Sequence, residues 1–330
     1  MQLEGNDWPT FGWISDIRPC LESARRQHRN VVLGTITRLV GSSPRPAGTQ
    51  MVFDQDRAGG YFSGGCLEAD VANHAAEVLR DRTPKTLLYG QGSPWIDIRL
   101  LCGGTIEILL ESIDSEEPAV AELLRLEVAR IPALWRSDGY ARTVEPAPPD
   151  CPTWAADGTK YSLRYDPKSR LVVVGGDPTA LALAKLASDA GFETYLIRGN
   201  GPGTTPPIGG LTYLRTAPAA TLHAMSPDPW TAVVSVTHDD VVDDDVVTSA
   251  LRSSAGYIGV LGARSRIGSR RDRLIKAGFG EHDLTRIHAP IGIAGCGKTP
   301  WEIAVSIVAE IMQSRNLSAR APESQINPAA

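Results

Sequence analysis

The chain has 330 residues, 42% hydrophobic and 22% charged, the balance of a globular protein long enough to bury two cores. A formal net charge of -5, with arginines scattered except for a cluster over 264–273, leaves no footprint for sequence-independent nucleic-acid binding. The first eleven residues are polar, and no apolar run approaches the roughly 20 residues a membrane helix needs, so a cytoplasmic protein with no nucleic-acid or membrane partner is expected.

In chain order, Ile14, Ile17 and Leu21 recur at helical spacing, interrupted by Pro19 and Cys20, ahead of a strand-like run over 31–40. The loop Gly41-Ser42-Ser43-Pro44-Arg45-Pro46-Ala47-Gly48 separates that run from a second strand over 49–53. Turn chemistry at Ala58-Gly59-Gly60 leads through Tyr61 and Phe62 to Ser63-Gly64-Gly65-Cys66. Leu67, Val71, Ala75, Val78 and Leu79 then define a helix whose early Glu68 and Asp70 suit its positive end. Strands over 86–89 and 105–110 follow, the second introduced by Leu101-Cys102-Gly103-Gly104, and together these elements predict a mixed α/β domain over 1–117. A helix over 119–129 and an aperiodic stretch over 132–166, rich in Pro, Asp, Gly and Trp, read as a helix and linker segment (118–168) holding at most a short hairpin.

From residue 169 the pattern becomes regular. Strands over 171–174, 194–197, 231–236 and 257–261 alternate with helices over 179–189 and 242–252, which implies right-handed crossovers and a parallel sheet. An apolar helix over 301–312 closes this domain (169–313), and the polar tail 314–330 reads as disordered. The fold class expected is α/β: an N-terminal mixed α/β domain plus a C-terminal Rossmann-like doubly wound parallel sheet.

Five cysteines, Cys20, Cys66, Cys102, Cys151 and Cys296, are odd in number and widely spaced, which favours reduced thiols over a disulfide framework; no CxxC pair or Cys/His cluster has structural-zinc spacing. Cys66 and Cys102 stand apart because each adjoins paired glycines, Gly64-Gly65 and Gly103-Gly104, which accept φ > 0 and let backbone approach a ligand closely. Cys66 also falls at a predicted helix N-terminus, where unpaired N–H groups and the dipole favour thiolate or hold a phosphate. A metal ligand, a nucleophile and a small hydrophobe under a tight turn all satisfy that pattern. Ser42, Ser43 and Arg45 lie on a loop between strands, a place suited to a polar ligand or to an ordinary connection. His238, in Thr237-His238-Asp239-Asp240 after a buried strand, would face the ligand crevice of a parallel sheet, or sit exposed beside an aspartate cap.

Two nucleotide readings compete. Gly175-Gly176-Asp177-Pro178-Thr179-Ala180 occupies the turn of a dinucleotide fingerprint, with Arg198 where a 2′-phosphate would be met, as in an NAD(P)-dependent oxidoreductase. Asp177 replaces the glycine that lets backbone reach the pyrophosphate. Gly292-Ile293-Ala294-Gly295-Cys296-Gly297-Lys298-Thr299 spells the P-loop of an ATPase, but follows a short segment broken by Pro290 and runs straight into Pro300.

Gly41 to Gly48, Ser63-Gly64-Gly65-Cys66-Leu67-Glu68, Cys102-Gly103-Gly104, Val236-Thr237-His238-Asp239, Tyr257-Ile258-Gly259-Val260-Leu261-Gly262 and Arg286-Ile287-His288-Ala289-Pro290-Ile291-Gly292, in this order from about Val31 to Met312, resemble the XdhC/CoxI family of molybdoenzyme maturation chaperones. The resemblance implies a non-enzymatic protein that binds molybdenum cofactor of the molybdopterin type. It would hold the cofactor while a cysteine desulfurase supplies a sulfido ligand, and pass it to an apo-molybdoenzyme of the xanthine oxidase family. In that setting Cys66 is the expected molybdenum ligand and Cys102 the next candidate, with Gly64, Gly65, Gly103, Gly104, Ser42, Ser43, Arg45 and His238 lining the cofactor site. Pairing of first-domain strand edges would make a homodimer. The chain departs from the family pattern at Asp177 and at Ala294-Gly295-Cys296-Gly297-Lys298.

Overall fold

The computed structural model describes residues 15–55, 57–63, 67–91, 93, 103–262 and 264–319 and divides the chain into two compact units, Met1–Pro167 and Lys168–Ala330.

The first unit is built on β1 (Val31–Val40), β2 (Gln50–Phe53), β3 (Ala58–Gly59), β4 (Lys85–Tyr89) and β5 (Thr105–Ile113), with helices α1 (Arg18–Arg26), α2 (Glu68–Asp81) and α3 (Pro118–Val128). The strands pair antiparallel in the order β3-β2-β1-β5-β4. β1 is buried along its first seven residues because both faces of the sheet are covered. Val32 and Ile36 face a core with Phe62, Leu67, Val71 and Val78 of the α2 side. Leu33 faces the other core, with Leu21 of α1, Leu123 and Leu126 of α3, and Trp135. A strand buried on both faces reads as one apolar run, which is why 31–40 is so plain in the sequence.

The expected linker is instead a second sheet. β6 (Ala133–Ser137), β7 (Arg142–Pro146), β8 (Trp154–Asp157) and β9 (Lys160–Tyr165) pair antiparallel in the order β7-β6-β9-β8. Its hairpins turn at Asp138-Gly139 and Asp157-Gly158, where both glycines have positive φ, and Asp-Gly is a strong two-residue turn signal. The apolar side of this sheet is aromatic: Trp135 is fully buried, and Trp154 stacks on Tyr161 with ring centroids 5.4 Å apart. A buried carboxylate, Glu111 of β5, pins the two sheets together by accepting from Tyr161 Oη, Ser137 Oγ and, at 3.0 Å, Arg142 Nε.

The second unit runs β10 (Arg170–Val174), α4 (Pro178–Asp189), β11 (Glu193–Ile197), β12 (Leu211–Leu214), α5 (Pro218–Met225), β13 (Thr231–Ser235), α6 (Asp240–Leu251), β14 (Tyr257–Val260), α7 (Ile267–Lys276), α8 (Glu281–Leu284), β15 (Ile287–His288) and α9 (Pro300–Ala319). All neighbouring strands are parallel, in the order β12-β11-β10-β13-β14-β15. That is the doubly wound 3-2-1-4-5-6 order, with its switch point between β10 and β13. Alternation along β10 serves two cores: Leu171 and Val173 pack with α4 and α9, and Val172 and Val174 with α6. α9 continues through Ala319, so residues 314–319 are helical where a tail was expected; 320–330 lie outside the described residues. Among the described residues no helix is long and apolar enough to cross a membrane.

Candidate functional site

Sheet register gathers three loops of the first unit. Val40 pairs with Thr105 and Tyr89 with Ile106, so the chain leaving β1, the chain leaving β4 and the chain entering β5 meet at one end of the sheet. They meet backbone to backbone. A Cβ on Gly104 would lie 2.2 Å from the Ser42 carbonyl oxygen, and one on Gly90 (φ +97) would lie 2.3 Å from that of Gly104. Gly103 differs: at φ +69 it has open space where a side chain would begin. Its glycine is required by conformation alone.

The fourth segment joins through Arg45. Its guanidinium lies 4.8 Å from the centre of the Tyr61 ring, two residues before Ser63, and its buried Nε has no hydrogen-bond partner among the described residues. Ser43 Oγ accepts from Arg45 N at 3.4 Å, and the far end of this loop rests on the small sheet, with Gly48 (φ +83) against the Trp154 ring. Ser42, Ser43, Arg45, Gly103 and Gly104 are thus brought together. Gly64, Gly65, Cys66 and Cys102 lie outside the described residues.

Both sides of the Gly64-Gly65-Cys66 step are held by one side chain whose place in the sequence marks it only as a partner of the helix dipole. Glu68 accepts from Phe62 N at 2.9 Å, Ser63 N at 2.7 Å, Ser63 Oγ at 3.0 Å and Leu67 N at 3.2 Å. Burial pushes its carboxyl up, but the Ser63 and Phe62 hydrogen bonds outweigh this and hold it below its ordinary value of 4.5. The expectation that free N–H groups at this helix start await a thiolate or phosphate is corrected here, because Leu67 N–H is already spent on an internal carboxylate. Two residues on, Asp70 accepts from Tyr89 Oη at 2.6 Å and lies 3.6 Å from His74 Nε2. This ties the start of α2 to the strand that leads into the Gly90 turn. Burial first, then Asp70, raises the Tyr89 phenol well above its ordinary value of 10.0.

His238 belongs to the second unit. It is 80% exposed after β13, with Nε2 3.5 Å from Asp177 Oδ2, and Asp239 caps α6 by accepting from Val241 N at 2.9 Å and Val242 N at 3.2 Å. The dinucleotide-like turn is furnished with the protein's own atoms. Asp177 caps α4 by accepting from Ala180 N at 2.8 Å. A Cβ on Gly175 would meet the Val236 carbonyl oxygen at 2.8 Å, and the space above Gly176 is filled by Arg198, whose Nη1 donates to the Gly176 carbonyl at 3.1 Å. The P-loop match is furnished in the same way: Glu302 of α9 accepts from Lys298 N, Thr299 N and Thr299 Oγ1, each at 2.9 Å. These hydrogen bonds, the Thr299 amide's foremost, hold the Glu302 carboxyl below its ordinary value. In both turns a carboxylate stands where a phosphate would, so neither the oxidoreductase nor the ATPase reading has an anion seat.

An antiparallel unit with converging glycine loops, followed by a doubly wound parallel unit whose phosphate turn is self-filled, defines a two-part α/β protein with a Rossmann domain that lacks the dinucleotide seat. Residues 171–311 match the XdhC Rossmann domain, and residues 24–90 match the model of the XdhC and CoxI family. The Escherichia coli (strain K12) molybdenum cofactor insertion chaperone PaoD is 32% identical over 289 residues, 87% of this chain and 84% of PaoD. A protein of Bacillus subtilis (strain 168) described as a probable xanthine dehydrogenase subunit is 27% identical over 92% of this chain and 98% of its own length. The chain belongs to the XdhC and CoxI family. In fold, it matches a crystal structure described as a xanthine dehydrogenase from Bacillus halodurans, with a TM-score of 0.74 at 24% identity over 95% of this chain and 98% of the other.

Proposed function

We propose that this protein is a molybdenum cofactor insertion chaperone with no turnover of its own, which receives a molybdopterin-type cofactor and delivers it to an apo-molybdoenzyme of the xanthine oxidase family. The observation that carries the reading is the convergence of Ser42, Arg45 with Tyr61, Gly90 and Gly103-Gly104 at one end of the five-stranded sheet, on the segments that lead to both glycine-flanked cysteines. The residues fit the cargo. Open space at Gly103 lets a flat ligand approach backbone, and Arg45 has an unpartnered Nε suited to phosphate oxygen. Bound cofactor would supply a soft metal centre, and thiolate is a soft ligand matched to it. In this reading Cys66 contacts the molybdenum and Cys102 supports it, Gly64, Gly65, Gly103 and Gly104 allow close approach, and Ser42 and Ser43 bond the polar rim. A cysteine desulfurase docks on the loaded chaperone to supply a sulfido ligand, and the working form is a homodimer. His238 extends the site from the second unit.

Expression in a host that makes molybdenum cofactor, followed by purification and assay of bound molybdopterin and its sulfuration state, tests the proposal. Wild type should carry pterin and Cys66→Ala should lose it with an unchanged circular dichroism spectrum. Stoichiometric pterin on the alanine variant would sink the assignment of Cys66.

A further inference from the structure

Resting on that reading, we propose that Glu68 is the positioning residue of the thiol segment: by gathering N–H groups from both sides of Gly64-Gly65-Cys66 onto one carboxylate, it fixes how that segment is presented to the cofactor. The geometry separates this role from ordinary helix capping. A cap sits before the helix and accepts from the N2 or N3 amide. Glu68 is the first residue of α2 and reaches backward, to Phe62 and Ser63, five and six residues earlier in the chain. The true cap position, Leu67, makes no side-chain cap bond, so the helix start forgoes a stabilising contact that the loop receives.

Ser63 completes the clasp. Its hydroxyl donates to Glu68 Oε2 at 3.0 Å and accepts from Leu67 N at 3.1 Å. Ser63 N and Leu67 N therefore bond the same carboxylate and are held close to each other, with three residues strung between them. Only 7% of Glu68 is exposed, and burying a carboxylate is unfavourable unless it is richly hydrogen-bonded; here the donors come from the segment itself. Phe62 and Leu67, the outermost of the clasped residues, are each fully buried in the α2-side core. The clasp is anchored on both sides, and the segment between has little freedom in where its ends go.

The test uses the full-length chain with two readouts: iodoacetamide labelling of Cys66 followed by peptide mass spectrometry, and pterin retained on purification. Glu68→Gln keeps the side chain's shape and turns one acceptor oxygen into a donor facing other donors. The expected result is Cys66 labelling changed about 10-fold or more, with Cys20, Cys151 and Cys296 labelling at wild-type rates. Pterin retention should fall about 10- to 100-fold, the range for loss of a group that orients a metal ligand. A folded Glu68→Gln that labels Cys66 at the wild-type rate and keeps its pterin overturns the proposal, as does a uniform rise at all four cysteines, which would mark a structural role. If Glu68→Gln does not fold, Ser63→Ala, which removes only the hydroxyl of the clasp, carries the same test, and wild-type labelling there overturns the proposal. Wild type that carries no pterin, together with altered Cys66 labelling in Glu68→Gln, would sink the cofactor reading and leave the positioning role standing.

Discussion

Adjacent glycines at the loop junction have opposite tolerances. Gly104 has no room: a methyl group would sit 2.2 Å from the Ser42 carbonyl oxygen, and backbone cannot swing away as a side-chain tip can. Gly103 has room and an unfavourable φ of +69, for which a non-glycine residue costs about 1–2 kcal/mol. Gly104→Ala should therefore lower the melting temperature far more than Gly103→Ala, and the latter should remain folded while retaining less pterin. Equal melting temperatures for the two would remove the steric account. At this scale the sequence is informative about which glycines matter and silent about why. The Gly-Gly-Cys pattern is visible as letters, whereas the clasp of Glu68 over Phe62, Ser63 and Leu67, the Arg45–Tyr61 contact and the Asp70–Tyr89 bond depend on how distant backbone segments are laid side by side.

Helix starts show how far local motifs can be trusted. α4, α6 and α9 each begin with a carboxylate of the chain on their free amides, from Asp177, Asp239 and Glu302. The fingerprint-like turn is open to doubt from the sequence because Asp177 lies inside the motif. The P-loop match gives no such sign, because Glu302 falls three residues past its last letter. Asp177→Ala should cost about 1 kcal/mol through the lost cap and still leave the protein without NAD⁺ binding, since Arg198 continues to occupy the space over Gly176. Calorimetric titration showing tight NAD⁺ binding by this variant would refute the argument. Strand elements are legible where both faces are buried, as in β1, β10 and β13, and illegible in β6 to β9. There short strands alternate with exposed polar residues, and the two Asp-Gly turns that punctuate them pass for loop composition.

Over the whole molecule, burial of phenols sets the alkaline limit. Tyr161 and Tyr165 beside the Glu111 cluster, Tyr257 against Glu310, and Tyr89 against Asp70 are all raised above an ordinary value of 10.0, by burial first and then, except at Tyr165, by those carboxylates; for Tyr165 the second cause is Asp16. A phenol raised in the fold is neutral in both states below pH 10. Its contribution to stability is complete there and declines as pH rises, because the unfolded chain ionises first. Of the eight tyrosines, these four should yield tyrosinate absorbance only together with loss of the circular dichroism signal; ionisation of all eight before unfolding would contradict the burial described. The parallel unit is the most legible part at this scale, since strand–helix alternation fixes both direction and handedness. The late additions β12, α5, α7 and β15 are not, being short or, for α7, too basic to show an apolar stripe.

The aromatic sheet beyond α3 has a practical meaning for anyone who wishes to isolate the front half. Trp154 bears on Gly48, Glu111 takes its donors from Ser137, Arg142 and Tyr161, and Thr35 of β1 bonds the Tyr161 hydroxyl at 3.2 Å. Truncation near residue 117 would strip β1 and β5 of their lining and strand an ionised Glu111 in hydrocarbon. An excised piece would need to reach Pro167, so what looks like a tether between two bodies is the keel of the first.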